Sequence, residues 1–597
     1  MSDTFVINYH KRIIGECEKS FLNEFGITKM QLYNPIYSSF FKLSKRNFNS
    51  IALNHKYSIK NINLVFKYGT LTDDVKHLSY KPIFIKFSPL LDPMKYMTGR
   101  YDLNDPNISS LPQYSSSQEN CHSKLLCLNN ASYVDNFFYF LSSVLLNHHY
   151  FLHGTDYYGS FLGIQNKFKC NIADDLDFLT SSDFFIANNG KIFNCEEVLD
   201  EYQSAHTMTR KNKSLIAIGD DIDLSTDIQA SEFINNDEQQ SFLASVVDLC
   251  EEDMCEEDMC QIVVDDSTEI HVCDADYNSD SDNSNTDYSI KSSDSYEQDN
   301  EKIVSQEKEL EEKELEENGL EENELDDDDI ESFVSTSSQF TDTEDIFAYI
   351  NNFPVQMICL EECDNTLDSL FEEGNVDDKI GASLFFQIVM TLLAYQKVFD
   401  FTHNDLHSNN IMYVATQKKF LCYRYNNIDY KVPTYGRIIK IIDFGRSIYK
   451  FHGKTFCSDS FSPDGDGESQ YNCEPFFNEN KKRVDPNYSF DLCRLGCSLH
   501  SYIDDNTAFN ANNMTQIRET VTRWITDDNN YNILYKKNGD ERYKGFKLYK
   551  MIARTVTSHT PERQLEYDFF KQFKITKRVK HMRHFMNLDT LPMYWSG

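Results

Sequence analysis

His403-Asn404-Asp405-Leu406-His407-Ser408-Asn409-Asn410 decides how the rest of the chain is read. It follows an almost wholly apolar segment, 380–399, and runs into the short apolar stretch IMYV at 411–414. The first reads as a buried helix and the second as a strand, so the octet is the loop between them. An Asp and an Asn five apart on one loop can face one site. Asp405 can orient or deprotonate a hydroxyl, and the Asn410 amide oxygen suits a hard cation. Alone, the octet also fits a plain loop of turn-forming residues. Thirty-three residues past Asn410, Ile441-Ile442-Asp443-Phe444-Gly445 closes the strand-like run RIIKIID at 437–443. Asp443 offers a second metal position, and Gly445 permits a sharp turn into the loop that follows. One base carboxylate and two oxygen ligands around ATP form the set that phosphoryl transfer needs. A third segment, Asp491-Leu492-Cys493-Arg494-Leu495-Gly496, reads as helix.

Working outward toward the N-terminus, VQMICLE (355–361) and IFIKF (83–87) read as strands. FLGIQ and KFKCNI, within 161–172, read as a hairpin. Residues 134–149 place Val134, Phe137, Phe138, Leu141, Val144 and Leu145 on one helical face. The chain beyond 443 reads as mainly helical. A strand-rich first part thus precedes a helix-rich second part, which predicts an α+β fold of two unequal lobes, β-rich then α-helical.

The net charge of −38 is concentrated. Residues 216–345 hold 44 Asp and Glu against four Lys, leaving 51 acidic and 53 basic residues elsewhere. A polyanion repels phosphate, so this charge gives no argument for nucleic-acid binding, and none is expected of the protein. Its composition, rich in Asp, Glu, Ser and Asn, predicts a disordered insert that cannot bury enough apolar surface to order itself. EEDMC repeats in tandem at 251–260, and Leu310, Leu315, Leu320 and Leu325 recur every five residues, a period that fits neither helix nor strand. Slippage in a tolerated loop explains both, and it weakens any reading of Cys250, Cys255 and Cys260 as metal ligands. The serines among acids at 278–289 are candidate phosphorylation targets, and the segment a tether for basic proteins. The sixteen cysteines have no framework spacing, and the polar start MSDTFVINYHKRIIG is not a secretory signal, so the thiols are expected to be reduced. Gln387 and Gln396 break the apolar run of 380–399, which predicts a core helix and no membrane span.

The three motifs, in order and at these spacings, resemble the eukaryotic protein kinase set: the catalytic loop, the Asp-Phe-Gly motif and the anchoring helix. FIKFSPLLDPMKYM, HGTDYYGSFLGI, VPTYGRIIKIIDFGRSIY and VDPNYSFDLCRLGCSL are similar to serine/threonine protein kinases of large nucleocytoplasmic DNA viruses. The resemblance implies ATP and Mg2+ as cofactors and a serine or threonine of viral or host proteins as acceptor. It implies catalytic roles for Asp405 and His407, metal ligation by Asn410 and Asp443, and support of the site by His403, Phe444, Gly445 and Asp491. Lys86 matches the lysine on the ATP phosphates, with Asp135 as its candidate partner acid. Glu361 and Cys363 fall near the adenine edge, and Arg563 is a candidate tie for the segment after Asp443. The implied organisation is an N-terminal extension (1–59), a first lobe (60–195), an acidic insert (196–345), the end of that lobe with the hinge (346–365), a second lobe (366–575) and a tail (576–597). The implied location is the host cytoplasm or the virion.

The departures from the family pattern are specific. No G-x-G-x-x-G precedes Lys86, and Gly69 stands nearly alone in KYGTL. Helix 134–149 has no Glu. Asn404 replaces the Arg that receives an activating phosphate, and His407 replaces a Lys. A weakly active pseudokinase or virion scaffold, and a small-molecule kinase, are the alternatives these departures leave open.

Overall fold

Strand pairing that joins residues nearly 200 positions apart organises the first half of the molecule. The computed structural model describes residues 7, 9–12, 14–63, 68–73, 77–173, 175–195, 346–503, 514–575 and 585–596. They belong to one unit, Met1–Lys211 with Ile330–Gly597; a second unit, Asn212–Asp329, lies outside them. The acidic insert, its leucine spacing and Cys250, Cys255 and Cys260 therefore lie outside the described residues, as do residues 64–67 ahead of Gly69.

One antiparallel sheet is built from β1 (Ile27–Gln31), β2 (Ser58–Asn63), β3 (Tyr68–Thr72), β4 (Leu78–Pro89), β5 (Tyr157–Asn171), β6 (Phe193–Cys195) and β7 (Phe347–Glu361). The order is β1-β5-β7-β4-β3-β2, with β6 beside β7. β7 is buried continuously from Phe353 to Leu360, so both its faces are covered. Its alternate residues divide between two cores. Ile358 and Leu360 join the core formed with α2 (Ala131–His149), while Val355, Met357 and Cys359 join the core on the opposite face. Lys86 on β4 lies directly across from Ile358, so it faces the α2 side.

Two sequence expectations are corrected here. Residues 161–172 are not a hairpin, since 161–171 belong to the single 15-residue strand β5. Its pairing runs along β7 from Tyr157↔Leu360 to Asn171↔Phe347, so a distant partner keeps the polar stretch near Asn166 extended. The chain beyond 443 is also less helical than its pattern. It holds the hairpin of β13 (Ile448–Phe451) and β14 (Lys454–Cys457), turned by His452 and Gly453 at φ 49° and 69°.

α2 is buried from Ser132 to Leu145 on all sides, not on one face, because the sheet covers one flank and α3 (Asp378–Phe399) with residues 444–456 the other. α3 is long and apolar enough to cross a membrane by composition, and it is buried in the core. Beyond the large sheet the chain forms two short ladders: β8 (Asn365–Thr366), β9 (Ile411–Ala415) and β12 (Arg437–Ile441), then β10 (Phe420–Tyr425) and β11 (Ile428–Pro433) with β15 (Met586–Asn587). α4 (Phe490–Ile503), α5 (Thr515–Trp524) and α6 (Lys547–Thr555) complete the mixed α+β fold. Within residues 1–59, α1 (Gly15–Phe25) leads into β1, which edges the sheet beside β5. Near the other end, the Trp595 indole donates to Lys397 O at 3.0 Å.

Candidate active site

The octet after α3 is held from below by one carboxylate. Asp491, in the first turn of α4, is fully buried and accepts from His403 N and Asn404 N, both at 2.9 Å. Burial pushes the Asp491 carboxyl up, while the His403 ring and the two amides pull it back. The His403 ring spans to the next motif: Nδ1 accepts from Asp405 N at 3.3 Å and Nε2 donates to Ile442 O at 2.9 Å. The pairing fixes the ring's tautomer. Asn404 adopts φ 66°; its side chain donates to Arg446 O at 3.0 Å and accepts the Tyr471 hydroxyl at 2.7 Å. The loop is therefore fastened to α4, to β12 and to the segment after Asp443.

Asp405 projects from this loop. Its Oδ1 accepts from the Tyr549 hydroxyl at 3.0 Å and lies 3.7 Å from Arg494 Nε. Burial works upward on this carboxyl, but Arg494 and Arg446 outweigh it and hold it below the usual carboxylate range. His407, half-buried, is pushed below the ordinary imidazole value by burial, against the pull of Asp405. The Asn410 amide nitrogen donates to Asp405 O at 3.0 Å, which leaves its oxygen as the acceptor. Asn410 O receives Ile442 N at 3.0 Å, so β9 and β12 bring Asn410 beside Asp443.

Asp443 has φ 62°, in the left-handed region that Asp tolerates better than most residues. The turn expected of Gly445 is thus made at Asp443. Its N–H donates to the Tyr139 hydroxyl at 2.9 Å, and Phe444 N donates to Asp135 Oδ1 at 2.7 Å. Phe444 is buried against Phe138, Tyr139 and His403. Lys86 Nζ sits between two carboxylates, 2.7 Å from Asp135 and 2.8 Å from Asp443. Asp135 is only 2% exposed and Asp443 48%, so one partner is interior and the other opens outward. Burial pushes Asp135 up against the pull of Lys86; for Asp443 the lysine outweighs burial and holds the carboxyl down at about 2. Burial works downward on Lys86, and the two aspartates more than reverse it, so the amine stays charged.

The remaining candidates lie elsewhere. Glu361 is committed to Lys440, a buried cation 2.6 Å away that also donates to Gly154 O. Burial and Glu361 push the half-buried Cys363 thiol up to about 12. The chain then enters the β8 ladder through Asp364, whose N–H donates to Tyr413 O at 2.9 Å. Arg563 donates to Ser558 O, local to its own turn. The arginine that reaches the segment after Asp443 is Arg554, through Ser469 O at 2.8 Å and Gln470 O at 3.3 Å. Gly69 is a strand residue in β3, where a Cβ would meet Ile83 Cδ1 at 2.3 Å; packing explains it.

No protein-family model matches the chain. Over 75 residues it is 43% identical to "Uncharacterized protein 098R" of Invertebrate iridescent virus 6. That stretch is 12% of this chain and 12% of the viral protein's length.

Four contributors escape sequence reasoning. Arg494 had a local signal, lying one helical turn from Asp491. Tyr139 shares α2 with Asp135 at i+4, a second such signal. Tyr549 and Arg446 reach Asp405 only through tertiary packing: Arg446 lies over the Tyr549 ring at 5.8 Å and pairs with Asp466.

Proposed function

We propose that the chain is an ATP-dependent protein kinase that transfers the γ-phosphate to serine or threonine, on a two-lobed kinase-like fold. In this reading the sheet β1–β7 with α2 is the smaller lobe and α3–α6 with their ladders the larger. The observation that carries it is Lys86 held at 2.7 and 2.8 Å between Asp135 and Asp443, three residues from separate parts of the chain. A cation so placed is organised in advance for phosphate oxygens, and Asp443 faces outward beside Asn410.

The donors fit magnesium with ATP. Among the described residues no group of three or more His, Cys, Asp and Glu is arranged to hold a metal. Asp443 and Asn410 supply two oxygens, which suits a cation that completes its shell with phosphates and water. Magnesium, when bound, would neutralise charge on the phosphates. Asp405, kept ionised by Arg494 and Arg446, accepts the hydroxyl proton as the substrate oxygen bonds to phosphorus and ADP departs. His407, with its lowered value, acts near pH 7 as a neutral hydrogen-bonding group. The 75-residue similarity to an iridescent-virus protein suits a viral source, and a host-cytoplasmic or virion location is part of the same proposal.

A second reading, a scaffold with weak turnover, is favoured by the Tyr549 hydroxyl on Asp405, where an acceptor hydroxyl would bind. Labelled ATP-Mg with casein, histone or buffer alone separates the two. The expected result is labelled serine or threonine, lowered roughly 10²–10⁴-fold in Asp405→Asn with nucleotide binding intact. ATP binding without label in any acceptor leaves the scaffold, and no ATP binding sinks both.

A further inference from the structure

The first turn of α2 is fastened on two sides. Toward the sheet, Asn130 Nδ2 donates to Leu90 O at 2.9 Å and Ser132 Oγ to Pro89 O at 2.6 Å, just beyond Lys86 on β4. Toward the segment after Asp443, the Tyr449 hydroxyl donates to Val134 O at 2.9 Å, and three further bonds converge on Asp459. Its Oδ1 accepts from Ala131 N at 3.0 Å, its Oδ2 meets Lys124 Nζ at 2.7 Å, and its N–H donates to Asn129 O at 2.7 Å. Cys457 N adds a bond to Asn129 Oδ1 at 3.3 Å. Asp459 is buried, so its charge is matched by the helix N-terminus and the lysine with little help from water.

Asp135 lies one turn into the same helix, at i+4 from Ala131. The segment that carries Asp459 begins at Phe444, whose N–H bonds Asp135. A closed circuit results: helix head to Asp459, along the segment to Phe444, and back to Asp135 on Lys86. The neutral Asn404 bonds this same segment through Arg446 O and Tyr471, and it provides no charge that a covalently added phosphate would need.

We propose that Asp459 is a positioning residue: a carboxylate supplied by the chain itself that locks the segment after Asp443 to the head of α2 and so holds Asp135 on Lys86, with no covalent modification required. Its kinetic consequence rests on the kinase reading; its geometric consequence does not.

The test uses the full chain and two readouts independent of turnover: amide hydrogen exchange over 131–136, and acylation of Lys86 by acetic anhydride followed by mass spectrometry. Asp459→Ala should raise both rates roughly tenfold or more, since it removes both charge-assisted hydrogen bonds of the carboxylate, to Ala131 N and to Lys124. Asp459→Asn, which keeps an acceptor but loses the charge, should fall between, and Asp459→Glu should restore wild-type behaviour. In an active protein, Asp459→Ala should lower kcat by a similar factor with the acceptor KM unchanged, and phosphatase treatment of wild type should leave its rate intact. If Asp459→Ala does not fold, Lys124→Met breaks the same pair from the other side and should move the same readouts. Unchanged exchange and acylation, unchanged kcat in an active protein, or loss of rate on phosphatase treatment each overturn the proposal. Should wild type transfer no phosphate, the kinase reading falls, and exchange with acylation still decides the latch.

Discussion

Asp405 keeps its charge because two arginines face it, and this sets a sign for pH dependence. Its carboxyl titrates below the ordinary range, so an activity that needs the ionised form persists down through mild acid and fails only as pH falls through the depressed value. Replacing Arg494 with Met removes the stronger of the two cations acting on this carboxyl and lifts that value. The acid limb of kcat/KM in Arg494→Met should therefore move to higher pH; superimposable limbs would mean that Asp405 is not the titrating base. The Lys86 cluster makes a stability prediction of the same local kind. Lys86→Met leaves Asp135 buried without its cation and should cost about 3 kcal/mol in denaturant unfolding. Adding Asp135→Asn should recover much of that loss, because a neutral amide tolerates the interior better than an unpaired carboxylate. A double mutant no more stable than Lys86→Met would show that the two residues do not act as a pair.

At the scale of elements, a side chain stands in for a missing strand. Among the described residues, β12 pairs with a strand, β9, along one edge only. On its other edge Ile439 N donates to Gln387 Oε1 at 3.1 Å, and Ile439 O bonds the His153 ring at 2.8 Å. Both come from buried positions, on α3 and on the turn after α2, so they satisfy backbone groups that water cannot reach. Gln387→Leu is nearly isosteric and more apolar, yet it should destabilise the fold by about 1–3 kcal/mol, because it strands a buried N–H. A neutral or stabilising effect in thermal unfolding would show that β12 finds another acceptor. The same residue shows what could be read in advance. Gln387 was visible as a break in an apolar run, but its partner was not, since hydrogen-bonding targets across the core leave no trace in local periodicity. Where chemistry and spacing are local, as in residues 403–410, 441–445 and 491, the contacts among the named side chains are present in the structure. Asp135 was legible as a partner for Lys86 because α2 offers no other acid. Where the outcome depends on a distant strand the pattern misled. The polar residues near Asn166 look like a turn until β7, far downstream, pairs through them. Likewise Glu361, expected near the adenine edge, is paired with the buried Lys440 of β12, a partner 79 residues away that no local pattern announces.

Across the whole molecule, the acidic stretch enters at a place the described sheet makes clear. Cys195 at the end of β6 pairs with Ala348 near the start of β7, so the chain leaves and re-enters at neighbouring positions on one sheet. Nothing in the register of β6, β5 and β7 requires a long connection. Closing a loop costs entropy that grows only logarithmically, about 0.6 kcal/mol per doubling of length. Removing 216–345 leaves roughly twenty connecting residues in place of about 150, nearly three halvings, and so should stabilise the fold by up to about 2 kcal/mol. The strongest opposing term would be contacts between the deleted stretch and the sheet or helices. The deleted protein, joined through a short Gly-Ser bridge, is expected to unfold at the same or slightly higher denaturant concentration, with ATP binding retained. A lower midpoint would show that the acidic stretch contributes packing to the folded body. Its charge gives a second readout on the same pair of proteins. If the segment tethers basic partners, the full chain should retain them better than the deletion at low salt, with the difference vanishing as screening shortens to about 8 Å near physiological ionic strength. Equal retention at every salt concentration would leave the stretch as a spacer.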